Sequence, residues 1–172
     1  VKRTKRCNPQ ELANVAWAYA ALGINNESLF ENLSSTLTAR VADLNIQDLA
    51  NVAWAYATLG LTDEVLFRAF GDVLQEKAGR FYPQTISNVA WAYAKVGIKD
   101  ETLFSALSAS ARKKLGDFNS QNLSNTAWAF AMLGLKDEEL FQLLSAEVQG
   151  RIWELPPQNL ANVAWAYAEL GI

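Results

Sequence analysis

Histidine is absent from this 172-residue chain, and Cys7 is its single cysteine. The chain therefore lacks the most common general base and the residue types that bind most zinc ions. It also lacks a glycine-rich phosphate loop, a nucleophile elbow and a paired-carboxylate motif. These absences predict a protein that is not an enzyme and that has no metal ion or other cofactor. One cysteine cannot form an internal disulfide, which weakly favours a reducing compartment.

Long apolar runs and an excess of positive charge are missing as well. Although 51% of the residues are hydrophobic, no run approaches the ~18 apolar residues that a membrane-spanning helix needs. Four of the 15 Lys and Arg residues precede residue 7, so the rest of the chain has 11 basic against 18 acidic residues, a balance of -7. An acidic body argues against broad DNA binding, which depends on neutralising phosphates. We predict no membrane span and no DNA specificity, while a narrow basic stripe stays compatible with this charge.

Residues 1–7, Val-Lys-Arg-Thr-Lys-Arg-Cys, form a basic leader without the apolar core of a signal peptide. We expect this leader to be flexible, either as a linker or as an arm that touches an anion. The chain begins with Val1 and stops halfway through a repeat. We therefore expect it to be part of a longer or processed protein.

One heptapeptide organises the rest of the chain. The sequence Asn-Val-Ala-Trp-Ala-Tyr-Ala occurs at residues 14–20, 51–57, 88–94 and 162–168, with the close copy Asn-Thr-Ala-Trp-Ala-Phe-Ala at 125–131. The Trp residues of successive copies are 37 residues apart. A fixed period of this size is the signature of a repeat array. It predicts a helical repeat domain over residues 8–172, with repeats 8–44, 45–81, 82–118 and 119–155 and a half repeat 156–172.

Each repeat has the pattern of two helices. The first starts after a turn, ends before a glycine and is apolar almost all round, which predicts an inner layer that its neighbours cover. The second starts at an Asp or Asn followed by Glu and has one apolar face. It is expected to end near Leu44, Phe81, Phe118 and Leu155. The predicted fold class is all-α: an α-solenoid of two-helix, 37-residue repeats, right-handed by analogy with other helical repeats.

Three residues recur on one side of every first helix. Gln10, Asn14 and Trp17 are four and three positions apart, and they return in all five copies. A residue that never varies cannot discriminate between different ligand units. We therefore interpret the Gln and Asn residues as structural, bonded to backbone groups at neighbouring helix ends. Trp153 is the one Trp outside this series, and we expect it to be a packing residue.

Two neighbouring positions vary between the repeats and are better candidates for specificity. Small polar side chains can donate to or accept from a base edge, as in helical repeats that read one base per unit. Variation at a solvated surface is the alternative interpretation. The possible base contacts are Glu11, Asp48, Thr85, Asn122 and Asn159 at the first position, and Ser87 and Ser124 at the second.

A column of cations forms a further pattern. One positive residue stands at the same place in each of the four complete second helices: Arg40, Lys77, Lys114 and Arg151. A cation near the negative end of a helix is favourable without any ligand. One positive charge per repeat on an acidic body is also what the backbone of a single-stranded nucleic acid would follow. The sequence leaves both explanations open.

The first-helix motif resembles a known family of helical repeats. Residues 9–14, Pro-Gln-Glu-Leu-Ala-Asn, and 17–23, Trp-Ala-Tyr-Ala-Ala-Leu-Gly, are similar to the octotricopeptide repeats of algal organelle proteins. They are more similar still to the 37-residue heptatricopeptide repeats of proteins that carry a RAP domain. The chain departs from the octotricopeptide pattern in its shorter period and in having Asp-Glu-x-Leu-Phe, not Pro-Pro-Pro-Glu-Trp, at the second-helix start.

This resemblance implies an organellar protein, mitochondrial or plastid, that binds single-stranded or ribosomal RNA in RNA processing, stability, translation or ribosome assembly. The competing hypothesis is a protein-binding scaffold, a structural subunit of a large organellar complex. The acidic body favours the scaffold, whereas the cation column and the resemblance favour RNA. We predict a non-catalytic RNA-binding protein, with other proteins of a complex as alternative partners.

Overall fold

The computed structural model describes residues 7–172, and within this range it contains nine α-helices, four short 3-10 helices and no β-strand. The first helices of the repeats are α1 (Pro9–Ala21), α3 (Ile46–Thr58), α5 (Pro83–Lys95), α7 (Ser120–Met132) and α9 (Pro157–Leu170). The second helices are α2 (Glu27–Ala39), α4 (Glu64–Lys77), α6 (Glu101–Arg112) and α8 (Glu138–Gly150). This architecture confirms the all-α class, and the helix packing is consistent with the predicted solenoid. Of the basic leader, residues 1–6 lie outside the described range.

Side-chain caps and one glycine per repeat define the helix ends. The Asn45 side chain accepts a hydrogen bond from the Asp48 amide at 2.9 Å and caps α3. The Asp63 carboxylate caps α4 in the same way, through the Leu66 amide at 3.0 Å. Gly60 ends the first helix of its repeat with a φ of 69°, in the left-handed region that a residue with a Cβ rarely adopts. The equivalent glycines have φ between 63° and 73°, which confirms the predicted stop in every copy.

The second helices end earlier than the sequence predicts. The helix α4 stops at Lys77, and the 3-10 turn Ala78–Arg80 separates it from Phe81. The Phe81 amide closes this turn on the Ala78 carbonyl at 3.1 Å. Phe81 itself is extended and fully buried. Helical periodicity alone did not locate the end of α4, because a 3-10 turn also directs an apolar residue into the core.

Alanine determines how closely the first helices pack. Ala53, Ala55 and Ala57 of α3 have no exposed surface, and the distance between packed helices depends on the size of the side chains between them. The first helices accordingly contact one another in series much more extensively than the second helices do. Larger side chains of the second helices, such as Phe67 and Phe70, are fully buried. Each contributes roughly 1.5–3 kcal/mol through its burial. The predicted packing of each first helix between its neighbours is confirmed, while one side of this layer faces solvent.

At three of the four junctions the tyrosine of the heptapeptide bonds a repeat to the one before it. The Tyr93 hydroxyl donates to the Phe67 carbonyl at 2.6 Å, and the two rings meet edge to face with centroids 4.9 Å apart. Tyr56 makes the equivalent bond to the Phe30 carbonyl at 2.9 Å. Burial raises the pKa of both hydroxyls, and the nearby carboxylates of Asp63 at Tyr56 and of Asp100 at Tyr93 add to the shift. The neutral phenol is therefore the form that the fold requires.

The expectation that Trp153 packs into the structure is wrong. Its side chain is 98% exposed, because it lies in the middle of the 3-10 turn Ile152–Glu154. The equivalent residues of the other repeats, Ala42, Gly79 and Gly116, are exposed as well. This position of the turn faces solvent whatever residue occupies it.

No helix in residues 7–172 is both long enough and apolar enough to cross a membrane. The helices of the repeats are 12 to 14 residues long, well short of the ~20 residues that a span requires.

Replacing Tyr93 by Phe should lower the free energy of unfolding by about 1 kcal/mol, because the change removes the hydroxyl that donates to the Phe67 carbonyl and keeps the ring contact. The fourth repeat supplies a matched control, since Phe130 packs on Phe104 at 5.0 Å without a hydroxyl. Phe130→Tyr should not destabilise the fold. Urea denaturation followed by circular dichroism measures both variants, and an unchanged midpoint for Tyr93→Phe would contradict the proposed contribution.

The fold should lose stability as the pH rises above about 10, the value near which tyrosines of an unfolded chain ionise. The pKa values of Tyr56 and Tyr93 are raised in the folded state. Their stabilising contribution is therefore complete below the unfolded pKa and is lost as the pH rises towards the folded one. Urea midpoints should fall with pH in this window, and less steeply for Tyr93→Phe. A flat profile would count against this linkage.

Candidate nucleic-acid interface

The solvent-facing side of the first-helix layer carries three recurring side chains per repeat, which we name the amide-indole face. All five Gln residues are exposed, and four of the five Asn residues are half-buried. The terminal indoles of Trp17 and Trp165 are 50% and 39% exposed, and the three between them are half-buried. The face consists of Gln10, Gln47, Gln84, Gln121 and Gln158, of Asn14, Asn51, Asn88, Asn125 and Asn162, and of Trp17, Trp54, Trp91, Trp128 and Trp165.

The amide side chains of this face are not bonded to helix ends, so their interpretation as structural residues is wrong. In the described part of the chain, Gln158 donates to Asn162 at 3.0 Å. The other side-chain amides and the indole N–H groups of the face make no hydrogen bond with any described residue. The side of the helix that carries them is open to solvent, and all five Gln side chains are exposed. These donors and acceptors are open to a ligand.

The middle of the amide-indole face forms a groove. A cleft of about 400 Å³ extends across the first helices from Trp17 of α1 to Gln121 of α7. Trp54, Asn51 and Asn88 also line it. None of these five side chains carries a charge, so the groove offers hydrogen-bonding groups and aromatic rings on an otherwise acidic body.

The variable positions lie mostly between the helices. Ser87 and Ser124 have no exposed surface, and Asp48 and Asn122 are 5% and 7% exposed. The Ser87 hydroxyl accepts a hydrogen bond from the Asn122 amide at 2.9 Å, which links α5 to α7. Placed in this way, these residues offer almost no surface to a base, although the sequence made them candidates for base contacts.

The remaining variable residues are more accessible. Thr85 and Asn159 are half-buried and Glu11 is exposed. The Glu11 carboxylate accepts a hydrogen bond from the backbone N–H of Asn8 at 2.7 Å, as part of a capping box. Burial raises the pKa of the Asp48 carboxyl at the same position of the second repeat, against a smaller lowering by a hydrogen bond to the Asn45 backbone. The side chain at the third residue of a helix can either cap the helix or contact a ligand. The sequence pattern did not show in which direction each of these side chains points.

The four cations of the column lie at or just beyond the ends of the second helices, and they share one structural contact. Each donates to the backbone carbonyl 33 residues before it, which lies next to the start of the first helix of the same repeat. The Arg40 and Arg151 guanidinium groups reach the Cys7 and Phe118 carbonyls at 2.8 and 2.9 Å. Lys77 reaches the Leu44 carbonyl at 3.4 Å, and Lys114 donates to the Phe81 carbonyl. This bond explains why one cation recurs in every repeat.

The two kinds of cation differ in their electrostatic surroundings. Arg40 pairs with Asp43 at 3.3 Å, and Arg151 pairs with Glu147 at 3.1 Å. Neither Lys77 nor Lys114 has a carboxylate partner within the part of the chain that the structure describes. Positive charge available to an anion is therefore greater in the middle of the column than at its ends.

No group of three or more Cys, Asp and Glu side chains among residues 7–172 is placed to hold a metal ion. The described clefts are lined by amides, aromatic rings and scattered charges. Such a surface can bind a ligand by stacking and hydrogen bonding.

A protein-family model described as RNA-editing substrate-binding complex 6 protein matches residues 1–172. The chain belongs to the RNA-editing substrate-binding complex 6 protein family. This membership confirms the coarser prediction of an RNA-associated helical protein, whereas the assignment to octotricopeptide or heptatricopeptide repeats is not established. A search of the curated proteins found no significant match.

Replacing Lys114 by Met should lower the free energy of unfolding by about 1 kcal/mol, because it removes the donor to the Phe81 carbonyl and keeps the aliphatic stem. The chain itself supplies the control, since arginine occupies the same column at Arg40 and Arg151. Lys114→Arg should keep wild-type stability. Equal urea midpoints for Lys114→Met and wild type would show that this contact is not structural.

Proposed function

We propose that this chain is a non-catalytic subunit of an RNA-editing complex and that it binds single-stranded RNA along the amide-indole face. One observation carries the proposal: the regularly spaced amides and indoles of this face are accessible and, but for Gln158 and Asn162, lack hydrogen-bond partners among the described residues. The family name refers to binding of RNA-editing substrates, which supports this choice of ligand.

The chemistry of the face suits an unpaired strand. Indole rings stack on bases whatever their identity, and each such contact is worth about 1–3 kcal/mol. Asn and Gln side chains offer both a donor and an acceptor, which match the exposed edges of unpaired bases. The same residues recur in each repeat, so binding should tolerate many sequences. Tolerance of this kind fits a subunit that handles varied RNA substrates.

The cation column has a secondary part in this proposal. A lysine ammonium has three donors, and the carbonyl contacts of Lys77 and Lys114 occupy one donor on each. The remaining donors are available to phosphates. Among the variable residues, Thr85 and Asn159 keep enough exposed surface to contact a base, and we retain them as candidate contacts.

A scaffold that binds protein is the second candidate function. The groove is uncharged, and amide side chains can pair with the main chain of an extended peptide as readily as with a base. The acidic balance of residues 7–172 also disfavours contact with a polyanion. A mitochondrial or plastid location and a ribosomal RNA target stay predictions.

A triple variant, Gln47→Ala with Gln84→Ala and Gln121→Ala, should bind a single-stranded RNA of about 20 nucleotides at least ten-fold more weakly than wild type. These side chains are exposed and have no hydrogen-bond partner among the described residues, so the fold should not change. Fluorescence anisotropy measures the affinity. The affinity should fall only slowly as salt is raised, because the proposal involves few phosphate contacts. Each such contact adds only about −0.7 to the slope of log affinity against log salt concentration.

The control removes three amides from the second helices, Gln75→Ala, Gln142→Ala and Gln149→Ala, and of these only Gln149 has a side-chain hydrogen bond among the described residues, to Ser145 at 3.0 Å. This variant should bind RNA as wild type does. Equal loss in both triple variants would show a general effect on the protein surface. If wild type binds no single-stranded RNA at low salt, the RNA proposal fails and the scaffold is favoured.

A further inference from the structure

One junction departs from the repeat pattern at two neighbouring positions. The third residue of the 3-10 turn is acidic at Asp43, Asp117 and Glu154, but it is Arg80 at the junction between the second and third repeats. Two residues later the cap position is Asn in three of the five copies and Tyr82 here. The two substitutions come at the same place in the solenoid, where the other junctions have an acid followed by a cap or a proline.

Neither departure is explained by stability. The Tyr82 side chain makes no capping bond to α5, and its ring is 76% exposed. Loss of an Asn cap is generally unfavourable, and so is exposure of an aromatic ring. Arg80 is also exposed, and in the described chain no carboxylate pairs with it. Apart from the contact of the Tyr82 ring with the Lys114 ammonium at 5.9 Å, neither side chain has an interaction that would explain its place at the surface.

Both side chains line one cleft. It lies between the N-terminal ends of α3 and α5, has a volume of about 440 Å³, and is also lined by Ile46, Gln47, Asn51 and Gln84. A cleft of 300–1,000 Å³ is the usual size for a small-molecule or cofactor site. The amides of Gln47, Asn51 and Gln84 have no hydrogen-bond partner in the described chain. The cleft thus combines an aromatic ring, apolar side chains, a cation and several available amides.

The charge around this cleft is unusual for the molecule. The Lys114 ammonium lies 5.9 Å from the centre of the Tyr82 ring, and neither Lys114 nor Arg80 is paired with a carboxylate in the range 7–172. At the neighbouring junctions Asp43 and Asp117 occupy the position of Arg80. Asp43 is neutralised by Arg40 and Asp117 carries an unpaired negative charge among the described residues, so of these three junctions the one with Arg80 attracts a phosphate most strongly.

We propose that this cleft is a pocket for a single nucleotide, in which the base stacks on Tyr82, the amides contact the base edge and Arg80 binds the phosphate. The pocket shares Asn51, Gln84 and Asn88 with the groove of the amide-indole face. It therefore deepens the proposed RNA-binding function and rests on it. One nucleotide of a strand lying in the groove enters the pocket, and this fixes the position of an otherwise sequence-tolerant strand.

The repeats themselves provide the test variants. Tyr82→Asn recreates the Asn-Pro-Gln sequence of residues 8–10, and Arg80→Asp recreates the acid of the neighbouring junctions. The double variant should unfold at the same or a higher urea concentration than wild type, yet bind the single-stranded RNA at least ten-fold more weakly. Arg68→Asp is the charge-matched control, because Arg68 lies on α4 with a side chain that is 80% exposed. It should leave RNA affinity unchanged.

Photo-crosslinking locates the contact directly. An RNA carrying 4-thiouridine should crosslink to Tyr82, and the double variant should lose this crosslink while keeping those to the rest of the face. If RNA binds wild type and the double variant equally, the pocket proposal is overturned while the proposed function stands. If the Gln triple variant binds RNA as wild type does while the double variant loses affinity, the proposal of binding along the amide-indole face fails and the pocket proposal does not.

Free ligands test the pocket even if no RNA strand binds. Uridine 5′-monophosphate and adenosine 5′-monophosphate should bind wild type at millimolar concentration and should not bind the double variant. Changes in the NMR chemical shifts of the protein measure this binding. Inorganic phosphate alone should bind more weakly than either nucleotide. Equal shifts with phosphate and nucleotide would mean an anion site without base recognition, and no saturable shift with either nucleotide would overturn the pocket.

Discussion

The close packing of alanine-bearing first helices is the constraint on which the rest of this molecule depends. Buried residues such as Ala53, Ala55 and Ala57 allow α3 to lie directly against α1 and α5. The larger residues of the same heptapeptide are then divided between two sides. Tyr56 is buried against the preceding second helix, where its hydroxyl meets the Phe30 carbonyl, whereas Trp54 lies half-buried on the open side. One short sequence thus supplies the repeat interface and part of the candidate binding face.

This division explains why residues recur between the repeats for two different reasons. Tyr93 recurs in four of the five copies for a structural reason, since it bonds to the Phe67 carbonyl across a repeat boundary, and Phe130 replaces it in the fourth repeat. Asn88 recurs in all five copies but has no such partner among the described residues. A residue that recurs in every repeat can therefore serve the packing of the repeats, or it can contact successive units of a repeating ligand. A polymer with a repeating backbone is the kind of ligand that an unvarying column fits.

In the cation column the spacing suggests a ligand, but the structure shows an internal contact. Its one-per-repeat spacing is what a bound strand would require, yet each cation already donates to the carbonyl of the residue just before its own repeat. The structural contact and an RNA contact are compatible only where a donor stays free and no carboxylate competes. Those conditions hold at Lys114 and fail at Arg151, which is paired with Glu147. Within the cation column, the charge available for RNA is thus that of Lys77 and Lys114, and Lys114 lies next to Tyr82.

The sequence by itself determined the period, the two helices per repeat, the turn at each glycine and the inner position of the first helix. These follow from local rules, because a residue such as Gly60 ends its helix through its own backbone. Only the tertiary structure decided which polar residues are open. Ser87 is buried because α7 brings Asn122 against it, whereas Gln84 three residues earlier is exposed. Helical spacing states which residues share a side, but the side that faces solvent depends on the neighbouring repeats.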